Sequence, residues 1–138
     1  FEDTLNKIIG TGMSVSFVNT GQATVDIVRM ITNIRKKLSC NCSFTFNPKN
    51  FVLANENPFL YSWRVGRFIK TIVQLDILDA SWDTVSTDLA CGNAEIKELV
   101  SIMRCHNFSG WFTLGGGGSY PGSLKDAVRA FTNLLDTI

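Results

Sequence analysis

Four cysteines and one histidine carry most of the reactive chemistry in this chain: Cys40, Cys42, Cys91, Cys105 and His106. Thiols can bridge, ligate a metal or act as nucleophiles, and their spacing separates these uses. A structural zinc site usually repeats a Cys-x2-4-Cys knuckle. Here a single Cys-x-Cys stands with two scattered thiols, so no metal is expected. A Cys–His nucleophile would need Cys42 or Cys91 carried to His106 by the fold, because Cys105 and His106 diverge as neighbours on a helix. Disulfides suit the pattern better. Cys40 and Cys42 are too close along the chain to bridge without strain, which ties them to Cys91 and Cys105 in either order. On one straight helix Cys91 and Cys105 would lie ~21 Å apart, whereas Cys40 and Cys42 are at most about 7 Å apart. Two bridges therefore predict a chain break at Gly92-Asn93, with Asn93 capping the helix that carries Cys105 and Glu95 in its first turn.

Asn41-Cys42-Ser43 and Asn107-Phe108-Ser109 are N-x-Ser sequons. Together with four cysteines they favour the secretory route, hence an extracellular or lumenal protein. Asn107 is the better acceptor, since Asn41 is crowded between two cysteines.

Carboxylate pairs could supply acid–base chemistry. Asp76 and Asp79 are three apart and read as neighbours on a solvated helix end, and Glu95 and Glu98 read the same way. There is no Gly-x-Ser-x-Gly, His-Glu-x-x-His or dinucleotide fingerprint. A net charge of +1 with 18% charged residues gives no electrostatic case for nucleic acid. Arg35-Lys36-Lys37 complements a helix C-terminus. No apolar run approaches the ~20 residues that span a bilayer. The chain is thus expected to be no enzyme and to need no cofactor.

Apolar periodicity predicts helices. In 123–138, Leu124, Ala127, Val128, Phe131, Leu134, Leu135 and Ile138 share a face behind a Ser123 cap. Ile27, Val28, Ile31, Ile34 and Leu38 do so in 22–38, and Ile96, Leu99, Val100 and Met103 in 94–105. The stretch 60–78 is apolar over a wider arc and reads as a central helix behind Pro58, with a shorter helix over 82–90 on Trp82, Val85 and Leu89. Only 13–18 and 42–46 alternate, as short strands or extended connections, with Phe44, Phe46 and Phe51 pinned to the core. The expected fold is all-α: a compact bundle of five or six helices with at most a minor β pair, braced by two disulfides.

Gly115 to Gly118 and Ser119 resemble the flexible linker of protein engineering, and no lysine follows in register for a phosphate loop. This divides the chain into a helical domain at 1–114, a linker at 115–119 and an amphipathic helix at 120–138 packing into the same domain. Phe1, Leu5, Ile8 and Ile9 continue the stripe that ends at Ile138, so a circular permutation would join the two ends in one helix of about seven turns closing at Gly10.

The functional expectation is a non-enzymatic extracellular domain acting through protein–protein contact or self-assembly. Phe108, Trp111 and Phe112 are its candidate interaction surface, since they crowd a short non-helical segment. The alternative is a carrier of an apolar small ligand, with Tyr61, Trp63, Trp82 and Trp111 lining a pocket in the bundle.

Overall fold

The computed structural model describes residues 2–38, 42–58, 71–83, 87–115 and 122–138. Its architecture is α/β. Strands β1 (Val15–Val18), β2 (Cys42–Phe46), β3 (Ile72–Ile77) and β4 (Trp111–Leu114) form one sheet in the order β1-β2-β3-β4, and every pairing is parallel. The all-α bundle is overturned. Parallel neighbours need long crossovers, and helices supply them. Helix α1 (Glu2–Gly10) precedes β1 and α2 (Thr24–Leu38) links β1 to β2. Helix α3 (Pro48–Leu53) follows β2, α4 (Ile96–Cys105) links β3 to β4, and α5 (Leu124–Leu135) follows β4.

The core lies between the helices and one face of the sheet. Register places Phe46, Leu75 and Phe112 in one row across β2, β3 and β4. Phe44, Phe46, Leu75 and Ile77 are fully buried there against Ile27 and Ile31 of α2, Ile96, Leu99, Val100 and Met103 of α4, and Phe131 and Leu134 of α5. The ring of Phe46 lies 4.9 Å from Phe51 and 6.2 Å edge-on from Phe44. Each such side chain stabilises the fold by about 1.5–3 kcal/mol relative to exposure.

The helical stripes over 22–38, 94–105 and 123–138 correspond to α2, α4 and α5, and Ser123 accepts the Asp126 N–H as the N-cap of α5. The stripe of α5 is narrower than its sequence suggests, with Leu124 and Val128 exposed. Helix α4 does begin after Cys91, but Glu95 stands at its cap in the left-handed region at φ 49° with no side-chain cap bond. Asn93 instead accepts the Trp82 N–H.

The expected central helix over 60–78 is corrected at 72–77, which is strand β3; positions 59–70 lie outside the described residues. A bulge explains the misreading. Phe44 pairs with Ile72 and Thr45 with Gln74, so Val73 is an extra residue in β3. The buried apolar residues here therefore fall at Ile72, Leu75, Ile77 and Leu78, without the alternation that marks a strand. The described part of the expected 82–90 helix is turn and extended chain, with Leu89 buried and Trp82 half exposed.

The two-disulfide brace is also overturned. Cys91 and Cys105 are exposed thiols without a bridge. Cys42 opens β2 and Cys105 ends α4, both on the side where strands begin, whereas Cys91 follows β3 on the opposite side. One Cys-x-Cys pair cannot reach both ends of the sheet. Cys40 and the sequon Asn41 lie outside the described residues; Asn107 is exposed just after α4, in the left-handed region at φ 55°.

Candidate functional site

The second face of the sheet has the opposite character. Thr45 is in register with Val18 on one side and Gln74 on the other, Gln74 with Trp111, and Asp76 with Thr113. These side chains point away from the helical layer. Ser16 and Thr45 share a hydrogen bond of 2.8 Å across β1 and β2, which places Ser16 on the same face.

At the ends of the strands this face gathers into a polar rim. Asp76, only 8% exposed, accepts the Thr113 hydroxyl at 2.6 Å and the Gln74 amide at 2.7 Å on Oδ1, and the Asn47 amide at 3.2 Å on Oδ2. Asn19 follows β1 directly and bonds the backbone of Asn47 in both senses: Nδ2 donates to the carbonyl and Oδ1 accepts the N–H, each at 2.8 Å. The side chain thus continues the β1–β2 pairing beyond the last strand residue. Asn47 caps α3 by accepting the Asn50 N–H, and Asn50 returns a bond of 2.6 Å to the Asn19 carbonyl. Each buried polar group in this set is paired, as burial demands.

Above the rim lies a cleft of about 430 Å³ lined by the ends of all four strands, among them Val18, Asn47, Gln74, Asp76 and Thr113, with Lys49 and Asn50 from α3. Gly115 completes the lining and adopts φ 77°, a conformation that favours glycine. The glycine run therefore starts on the cleft's edge, within the connection from β4 to α5; positions 116–121 lie outside the described residues. The proposed joining of chain ends concerns α1, which leads into β1 at one edge of the sheet, and α5, which follows β4 at the other.

A second cavity, about 500 Å³, lies between the loop after β3 and α5, with Asp79, Glu95 and Glu98 on its wall. It is larger, yet its one buried polar side chain, Asp79, has both oxygens engaged by backbone N–H groups of Ala80, Gly92 and Ala94. Burial, and then the like charge of Glu98, hold the Glu95 carboxyl above its ordinary value. The cleft with convergent side chains is the better candidate for recognition.

The residues singled out in the sequence are scattered by this fold. Asp76 and Asp79 do not share a helix face: one enters the cleft rim and the other braces a loop. Cys105 and His106 lie at the end of α4 on the side where the strands begin, away from the rim, with His106 the exposed C-cap; Cys91 lies in the loop after β3 and does not line the cleft. The aromatic surface divides in two. Phe108 packs tilted against Phe112 and Phe112 edge-on against Phe131, with ring centroids 5.4 and 5.6 Å apart, while Trp111 points to the open face. Trp82 is also at the surface, and Tyr61 and Trp63 lie outside the described residues. Among the described residues no three His, Cys, Asp or Glu side chains gather as a metal would require, and no helix is long and apolar enough to cross a membrane. Asn19, Asn47, Gln74 and Thr113 escaped the sequence reading. Their signal was a polar residue within or just after each alternating apolar segment.

No protein-family model and no curated protein matches this chain. Its fold is similar to the crystal structure of a xylose isomerase domain protein from Planctomyces limnophilus, with a TM-score of 0.77 and 18% sequence identity. That likeness covers 99% of this chain and 50% of the other, so the chain spans half the length of the structure it resembles. It overturns the expectation of a non-enzymatic helical domain, and with it the apolar-ligand carrier, since the sheet and its polar rim replace the bundle interior. What the chain shares with that protein is a parallel α/β fold.

Proposed function

We propose that the cleft at the strand ends binds a small polyhydroxylated molecule of the monosaccharide class, and that the chain contributes this site to a sugar-transforming α/β enzyme. The observation that carries the reading is Asp76: a buried carboxylate fixed by Gln74, Thr113 and Asn47 at the rim of the cleft. Vicinal hydroxyls each donate and accept, so they need an array of amides, hydroxyls and a carboxylate rather than a block of one charge. The rim supplies that array. A cavity of 430 Å³ suits a small ligand. In open parallel α/β sheets and barrels alike, ligands lie beyond the carboxyl ends of the strands. The similarity in fold to a protein named for xylose isomerase adds a substrate class to that location.

In this reading Asp76 Oδ2, which accepts only the long bond from Asn47, takes a ligand hydroxyl proton in a hydrogen bond. Gln74, whose amide nitrogen donates to Asp76 and Thr113, keeps its amide oxygen as an acceptor for the ligand. Lys49, on the same wall, supplies a cation near any oxygen that becomes negative. Titration calorimetry and ligand-observed NMR with a panel of aldoses, ketoses and polyols test the reading. Saturable binding that Asp76→Asn weakens more than about tenfold, a loss of about 1.4 kcal/mol, is the expected result. Absence of saturable binding across the panel, or binding indifferent to Asp76→Asn, would refute it.

A further inference from the structure

Hydrogen-bond polarity divides the cleft into two walls. On β3 and β4 the protons are already spent inside the protein. The Thr113 hydroxyl gives its one proton to Asp76 Oδ1 at 2.6 Å. Gln74 gives its amide protons to Asp76 Oδ1 at 2.7 Å and to Thr113 Oγ1 at 3.3 Å. A carboxylate has none to give. This wall therefore meets a ligand with lone pairs alone: Asp76 Oδ2, Gln74 Oε1 and the remaining lone pair of Thr113 Oγ1. The α3 wall is the reverse. Asn47 keeps one amide proton beyond its bond to Asp76 Oδ2, its oxygen is committed to the Asn50 N–H, and Lys49 brings a cation.

The charge on the β3–β4 wall also lacks a counterpart. Asp76 is 8% exposed, and a buried carboxylate is ordinarily paired with a cation or held by several backbone N–H groups. Asp79 has the second arrangement. Asp76 has neither. The ion pairs among the described residues, Arg29–Asp26, Lys37–Glu2 and Arg129–Asp126, all lie at the surface, and its own three donors are neutral side chains.

We propose that the β3–β4 wall receives an ammonium group, so that the ligand of the cleft is an amino sugar. An ammonium has three protons and no lone pair, which matches a wall of three acceptors, one of them charged. A hydroxyl brings that wall a single proton and leaves the other acceptors unmet, the costly case for polar atoms out of water. The ring and hydroxyl oxygens of the same ligand accept from Asn47 and Lys49 on the α3 wall. A divalent metal ion fits less well. It draws on several anionic oxygens, and Asp76 is the one carboxylate lining the cleft among the described residues. This inference rests on the reading of the cleft as a monosaccharide site and specifies which monosaccharides it takes.

Titration calorimetry tests it with glucosamine and galactosamine, each beside its neutral parent hexose and its N-acetyl derivative, at about pH 6 where the amine is protonated. Each amino sugar should bind more than about tenfold tighter than its parent, and the N-acetyl derivative no tighter than the parent. Asp76→Asn should cost the amino sugar more affinity than it costs the parent. Thr113→Val returns a Gln74 amide proton to the cleft, so it should narrow the preference while both ligands still bind, a change of ratio that a misfolded chain would not give. Equal affinity for amino sugar and parent would overturn the ammonium and leave the monosaccharide site standing. Binding of neither would overturn both. Saturation by magnesium or manganese chloride alone that Asp76→Asn abolishes, without preference for the amino sugar, would give the wall to a metal instead.

Discussion

Asp76 and Asp79 are three residues apart at the end of β3, both buried, and they do opposite work. Asp79 is 2% exposed and its oxygens accept three backbone N–H groups, from Ala80, Gly92 and Ala94 at 2.8–3.0 Å. Its charge serves the loop that returns from the sheet to α4. Asp76 accepts only side chains, from Gln74, Thr113 and Asn47, and lines a cleft. A carboxylate paired with backbone is part of the scaffold, because the groups it holds have nowhere else to turn. One paired with side chains at a cavity wall can exchange partners for a ligand.

Variants can break that contrast. Asp79→Ala leaves three backbone donors, two of them buried, without acceptors, and urea unfolding should show a loss of about 4 kcal/mol. Gly92→Ala attacks the same loop from outside, since a Cβ there would overlap Asp79 Oδ1 and the Ala80 carbonyl, with Thr87 Oγ1 at 2.6 Å. Overpacking against backbone should cost about 3 kcal/mol. Asp76→Asn keeps shape and two of its bonds, so stability should fall by only about 1 kcal/mol while sugar binding is lost. Equal stability losses for Asp76→Asn and Asp79→Asn in the same unfolding series would erase the distinction between site and scaffold.

Glu95 sharpens the comparison with a smaller effect. It holds φ 49° at the start of α4, a strain that glycine would not feel. Glu95→Gly should raise stability by about 1 kcal/mol at neutral pH, with ligand binding unchanged. Its carboxyl is held above the ordinary 4.5 by burial first and Glu98 second, so the folded chain binds a proton more readily there than the unfolded one. The stability that proton contributes is present below 4.5 and is lost as pH rises through the raised folded value. Glu95→Gln should flatten unfolding free energy across that interval; an unchanged pH profile would place the effect elsewhere.

Much of the chain's local structure was legible. The stripes of α2, α4 and α5 and the Ser123 cap follow from residue spacing, and Phe44, Phe46 and Phe51 are core as their types imply. The alternation in 13–18 and 42–46 marked β1 and β2, although as a minor pair. β3 was hidden by its bulge, which breaks the alternation expected of a strand. β4 was hidden because Trp111 and Phe112 are both large and apolar, yet one faces outward and the other toward α5. The cleft was not legible at all: its walls come from residues 18, 47, 74, 76 and 113, brought together only when the four strands pair.

The sequence by itself determined which segments bury an apolar stripe, where α5 starts, and that Asp76 and Asp79 sit close together on one short stretch. Those properties depend on neighbours a few residues away, and a single turn of helix or pleat of strand expresses them. Tertiary structure decided that four extended segments pair in parallel and in order, that one carboxylate faces a cleft and the other a loop, and that no thiol at position 91 can meet the cysteines across the sheet. Register and strand order are set by hydrogen bonds between residues ~30 or more apart in the chain, and no local periodicity records them.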